Sequence, residues 1–406
     1  MAASRRVVVL AAVALLVVGA RPAAAQASAA LRDSAIHILR SVPLIDGHND
    51  LPDAIRTAGG LDSVDLATPR PHLMTDIPRL RAGAVGAQFW AAYVPVTTIH
   101  GGEHPAVYAL EQIDLIYRYC RKYPQAFAMA FTAAEVQAAF ARGRVACLIG
   151  IEGGHAIENS LGALRTFYAL GVRYMTLTHW ETIDWADAAT DSAKHGGLTP
   201  FGEEVVREMN RLGMLVDISH VSDGTMSAAL RVSRAPVIFS HSSARALSHH
   251  VRNVPDSLLA RLKANDGIVM VNFNPAFVSE EVRQYEESTT ARARALKAAG
   301  VDSAALADSS RRWAAAAPRA TLSQVADHFD YLRKVIGADH IGVGSDFDGI
   351  ESVPLGLEDV SKFPDLMAEL LRRGWTVQEI RKVAGLNLLR VLRAAERVAA
   401  EMKAGR

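Results

Sequence analysis

Eight short, nearly unbroken apolar runs, spaced along the chain by longer amphipathic stretches, constrain the fold more than any other feature. They are PLIDGH (43–48), VGAQFWAAYV (85–94), VACLIGIEG (145–153), VRYMTLTH (172–179), MLVDISH (214–220), PVIFSH (236–241), GIVMVNFN (267–274) and HIGVGSD (340–346). Runs this short and this apolar read as strands buried on both faces, the pattern of a parallel sheet. The stretches between them carry helical spacing, as in PAVYALEQIDLIYRYCRKY (105–123). Helix punctuation recurs. Thr132 followed by Glu135 predicts a capping box, and TPFGEEVVREMNRLG (199–213) and PDSLLARLKANDG (255–267) have proline near the start and glycine at the end. Strand and helix alternating eight times predict an α/β chain closed into a (β/α)8, TIM-type barrel.

No linker or change of composition divides the chain, so residues 31–406 are expected to form a single domain. One segment, about 278–320, is charged and alanine-rich, and is expected to be a helical insertion between the seventh and eighth strands. Residues 1–25 have the layout of a secretory signal peptide: two arginines, an apolar stretch from Val7 to Ala20, then small residues before Gln26. That stretch is 14 residues long, short of the roughly 18 that span a bilayer. The expected location is therefore periplasmic or extracellular. Lys and Arg total 44 against 43 Asp and Glu, and no basic patch suggests a nucleic-acid partner. With Cys120 and Cys147 in apolar or helical surroundings, two buried free thiols are expected. The fold then has to rest on its core, with no disulfide framework.

The polar residues that close the strands matter most for function. His48 and Asp50 follow the first strand, spaced two apart, so that both face one point. Glu152 ends the third, His179 the fourth, His220 the fifth, His241 the sixth and Asp346 the eighth. In a barrel these ends share one rim, the face on which barrel enzymes carry their chemistry. Imidazoles and carboxylates without thiolates suit zinc or a similar divalent ion. The candidates exceed what one tetrahedral site needs, and two ions sharing a carboxylate fit better.

These motifs resemble the membrane dipeptidases, also called renal dipeptidases, a branch of the metal-dependent amidohydrolase-like barrels. The resemblance rests on DGHNDLP, GIEGGHAI, GVRYMTLTHW, DISHVS, SHSSARAL, RNVPD, VMVNF, GVGSDFDGI and GLNLLRVL, in order from about residue 42 to 392. It implies two zinc ions. His48 and Asp50 would hold one, His220 and His241 the other, and Glu152 would bridge them. It further implies that Asp346 exchanges protons with the attacking water and the leaving amine, and that His179 and Arg252 bind a dipeptide substrate. A carboxylate at the metal rim suits proton transfer, an imidazole can donate to a developing oxyanion, and a guanidinium can grip a free carboxylate with two prongs. The nearest alternative is a related amidohydrolase acting on N-acyl amino acids or lactams.

There are departures from the family pattern. Mammalian relatives are disulfide-linked and lipid-anchored at the C-terminus, whereas this chain ends AAEMKAGR, so no stable membrane anchor is expected. Phe277 stands near a point where some relatives carry a tyrosine, which leaves the substrate preference open. A homodimer is compatible with the sequence.

Overall fold

A computed structural model of the chain describes residues 23–405, with side chains from Ser28 onward. Nine strands run β1 (Leu44–Asn49), β2 (Val85–Tyr93), β3 (Phe127–Met129), β4 (Val145–Glu152), β5 (Val172–Thr176), β6 (Leu215–Asp217), β7 (Ile238–Phe239), β8 (Ile268–Val271) and β9 (Ile341–Val343). Eight of them close a parallel ring in the order β1-β2-β4-β5-β6-β7-β8-β9. This is the (β/α)8 barrel that the apolar runs predict. β3 was not foreseen. It is three residues long and lies outside the ring, paired with the first residues of β4.

Alternation along the strands divides the core in two. One set, including Ile45, Phe89, Leu148, Tyr174, Leu215, Ile268 and Met270, fills the barrel and meets Leu388 and Leu392 of the helix Asn387–Lys403. The other set faces the surrounding helices. Gly150 lies beside Tyr174, and a Cβ there would fall inside the phenol ring. That missing side chain is what lets Tyr174 reach across the barrel interior.

Local signals are realised unevenly. Helix Pro200–Leu212 begins with its proline and ends at Gly213 in the left-handed region, φ 90°. The capping box expected at Thr132 forms only in part. Thr132 accepts from the Glu135 N–H, but the Glu135 carboxylate turns to the N–H of Phe131. The two cysteines are buried free thiols, with their sulfurs 2.6 Å apart. Between β8 and β9 lie helices Glu280–Ala298 and Ser303–Ala316, which bury almost nothing. The expected leader lies outside the described residues, except for the three alanines that begin helix Ala23–Leu39. That helix docks on helix Phe363–Arg372, with Arg32 Nε donating to Asp365 at 2.8 Å. Among the described residues, no helix is long and apolar enough to cross a membrane.

Candidate metal centre and active site

The C-terminal ends of the ring strands bring the sequence-predicted residues together. Glu152 is the last residue of β4, in register with Tyr93 of β2 and Thr176 of β5. Its two oxygens face different neighbours. Oε2 lies 3.5 Å from His48 Nε2, while Oε1 lies 3.0 Å from His220 Nε2 and 3.3 Å from His241 Nε2. His48 Nε2 is also 3.3 Å from Asp50 Oδ2 and 3.9 Å from Asp346 Oδ1. His179 Nε2 stands 3.8 Å from Glu152 Oε1.

Three groupings here are close enough to hold a cation: His48–Glu152–His241, Glu152–His179–His220 and His48–Asp50–Asp346. They share members, so they describe one continuous cluster. His241 sits closer to His48 than to His220, with ring centroids 3.9 Å and 5.0 Å apart, and His179 approaches Glu152 about as a ligand would.

The donor set fits a divalent ion. His48 Nε2 and His241 Nε2 are buried without a hydrogen-bond partner among the described residues, a costly condition unless a cation takes the lone pairs. Burial pushes His179 down to about 4 and lowers His220 and His241, which leaves these three imidazoles neutral and able to ligate, whereas at His48 burial is outweighed by Tyr174, Glu152 and Asp50, which raise it well above its usual value. Burial opposes ionisation of Glu152. Even so, the imidazole neighbours, His48 first among them, hold its carboxyl well below the usual range. Gly349 packs against Asp50 so tightly that a Cβ would collide with the carboxylate. The backbone is also strained here: His220, Asp346 and Asp348 have φ of 67°, 65° and 66°. Such left-handed residues persist only where surrounding structure holds them, as is common at functional sites.

A second layer orients the imidazoles. His48 Nδ1 lies 2.8 Å from the Tyr174 hydroxyl. With a cation on Nε2, Nδ1 would carry the proton and donate it to Tyr174. His241 Nδ1 lies 2.7 Å from Ser240 Oγ, which donates its only proton to Asp217 Oδ2 at 2.6 Å. Ser240 must therefore accept from His241, which turns Nε2 toward the cluster. Asp217 also accepts from Thr176 Oγ1 and from the N–H groups of Ser219 and Ser240. Asp46 holds Ser345 in a similar way. Sequence reasoning missed this layer. The available signal was an aspartate inside an otherwise apolar strand, in LIDGH and again in LVDISH.

The cluster floors a cleft of about 220 Å³ whose walls include Asp53, Tyr93, Trp180, Arg252, Phe277 and Ile350. Arg252 is 1% exposed and poorly satisfied. Its nitrogens reach Ser242 Oγ at 3.3 Å and the His241 carbonyl at 3.4 Å, and Nε has no partner. Burial lowers it to about 10, which still leaves it cationic at neutral pH. A buried guanidinium with weak bonds is prepared for an anion. Phe277 packs 5.3 Å from it. Asp346 is steadied by Asn272, whose Nδ2 donates to Oδ2 at 2.9 Å. A second cavity, of about 200 Å³, lies near Leu39, Leu80, Phe127 and Arg144, and its lining has no histidine or carboxylate.

A family profile described as "Membrane dipeptidase (Peptidase family M19)" matches residues 32–406. Dipeptidase 3 of Rattus norvegicus is 45% identical over 376 residues, covering 91% of this chain and 68% of its own. Dipeptidase verJ of Clonostachys rogersoniana is 42% identical over 381 residues, covering 91% and 88%. Among solved structures, the probable dipeptidase PvdM from Pseudomonas aeruginosa superposes with a TM-score of 0.80 at 23% identity, over 91% of this chain and all of that one, a likeness of fold. A metallo peptidase from Rhodobacter sphaeroides, liganded with a phosphinate mimic of the dipeptide L-Ala-D-Ala, gives 0.70 at 26% identity, over 87% of this chain and 99% of that one.

Proposed function

Because this chain belongs to the membrane dipeptidase family, peptidase family M19, and is a metallo-dipeptidase, we propose that it is an exported, binuclear zinc enzyme that hydrolyses the single peptide bond of dipeptides. In this reading residues 1–25 are the export leader, and residues 31–406 form one catalytic domain with a helical insertion near 278–320. His48 and Asp50 hold one ion, His220 and His241 hold the other, and Glu152 joins them. The observation that carries the proposal is the division of Glu152, with one oxygen toward His48 and the other toward His220 and His241.

Bound there, two zinc ions supply a water that is nucleophilic near neutral pH. The remaining chemistry belongs to the chain. Arg252 grips the substrate's α-carboxylate with two parallel hydrogen bonds, replacing the weak bonds it makes to Ser242 and His241. His179, neutral at working pH, donates to the scissile oxygen as charge develops on it. Asp346, fixed by Asn272, takes a proton from the attacking water at Oδ1 and returns it to the departing nitrogen.

The test is a panel of L,L and L,D dipeptides set against N-acyl amino acids and lactams, using metal-loaded and chelator-treated protein. Cleavage of dipeptides that metal removal abolishes supports the proposal. Turnover confined to N-acyl amino acids or lactams would replace it with the amidohydrolase alternative.

A further inference from the structure

One carboxylate on the cleft wall is used by neither the cation groupings nor the second layer. Asp53 stands on helix Leu51–Thr57, one turn beyond Asp50. It belongs to none of the clusters that could hold an ion. One oxygen is anchored: Oδ1 accepts from Gln112 Nε2 at 3.0 Å and lies 3.4 Å from the Tyr108 hydroxyl. The other oxygen meets no donor among the described residues, and it is not sealed from solvent. The nearby Arg56 is engaged elsewhere, with its nitrogen 2.7 Å from Glu111 and its guanidinium 3.9 Å over the Tyr108 ring. Asp53 is thus a held, half-buried anion with one face open to the cleft.

Its place on the ring says what it would meet. Arg252 follows β7, and Tyr93 ends β2, four strands around the eight-stranded ring and so directly across the mouth. Asp53 follows β1 and bonds to helix Pro105–Lys122, on the Tyr93 side. Glu152 lies between. A dipeptide with its carboxylate on Arg252 and its scissile carbonyl over Glu152 therefore points its first residue toward Tyr93 and Asp53. The Tyr93 ring, edge-on to His179 at 4.9 Å, offers an aliphatic stem an apolar flank. We propose that Asp53 selects dipeptides whose first residue has a cationic side chain, lysyl, arginyl or ornithyl. This rests on the dipeptidase reading above and names the substrate class for that site.

The test is kcat/KM for lysyl-alanine, norleucyl-alanine and glutamyl-alanine with the full-length, metal-loaded protein. Norleucine keeps the lysine stem and lacks the ammonium. A half-buried pair is expected to favour lysyl over norleucyl on the order of tenfold, less at high salt, with glutamyl slowest. Asp53→Asn preserves size and an acceptor for Gln112, and should bring the lysyl-to-norleucyl ratio close to one. Asp53→Lys should raise the glutamyl-to-lysyl ratio above one. A purely structural role would change absolute rates in parallel and leave both ratios alone. A wild-type ratio within twofold of one, or one that survives in Asp53→Asn, overturns the assignment while dipeptide cleavage stands. If no dipeptide is cleaved, the dipeptidase reading itself fails, and the Asp53 assignment with it.

Discussion

Replacing Tyr174 with phenylalanine removes one oxygen atom and leaves the barrel packing in place. The ring lies 4.7 Å from Phe89 and fills the space that Gly150 leaves, and both contacts survive. What is lost is the acceptor 2.8 Å from His48 Nδ1. His48 is fully buried, so its N–H is left without a partner, at a cost of about 1–3 kcal/mol. The imidazole can escape that cost only by turning, which points Nε2 away from Glu152 and Asp50, or by changing tautomer, which puts the proton on Nε2 and removes the lone pair that would ligate. The penalty therefore falls on metal binding, and about 1.4 kcal/mol is a factor of ten. Tyr174→Phe should weaken zinc affinity by about 10- to 100-fold, the range usual for losing such a supporting contact. Competition against a chromophoric chelator measures it, with a thermal melt of the metal-free protein as a check on folding. Gly150→Ala should be worse, because its Cβ enters the Tyr174 ring. Wild-type affinity in Tyr174→Phe would refute the claim that this hydroxyl sets the orientation of His48.

Two further outcomes follow from the same geometry. Asp346→Asn keeps an Asn272 contact and should retain both metals while kcat falls about a thousandfold, as measured by metal analysis beside steady-state rates; near-normal turnover would remove Asp346 from proton transfer. His328, buried away from the cleft, accepts from the Ala244 N–H and donates to the Val278 carbonyl, and burial lowers it from 6.5 to about 4. The unfolded chain thus binds the extra proton first, so His328 contributes stability above pH 6.5 that is lost as the pH falls toward 4, on the order of 3 kcal/mol. Denaturant unfolding of wild type and His328→Gln at pH 7 and pH 4.5 isolates this effect, since the other buried histidines titrate in both proteins. Equal losses would contradict it.

How legible the molecule was depends on where each residue faces. All eight ring strands are readable because their residues are almost all buried on both faces, which leaves apolar runs with few polar interruptions. β3 is not, since a strand of three residues, Phe127–Met129, two of them half-buried, carries too little pattern. The strand ends were overdrawn. PVIFSH reads as a strand of six residues, but only Ile238 and Phe239 pair, because Ser240 and His241 leave the ladder to bond Asp217 and face Glu152. The residues of the cleft floor were visible as polar groups closing apolar runs. The groups that orient them were hidden: Tyr174 looks like any aromatic in a strand, and its partner His48 lies 126 positions away. Asp53 escaped notice for the opposite reason, as an acid in the first turn of a helix, where acids are ordinary.

The central claim is that one carboxylate joins two ions. Anomalous diffraction at the zinc edge, on crystals of the zinc-loaded protein, measures this directly. The account predicts two peaks, each about 2.0–2.2 Å from a different oxygen of Glu152, one beside His48 and Asp50 and the other beside His220 and His241. A single peak, or a pair with Glu152 bound to only one ion, would contradict it.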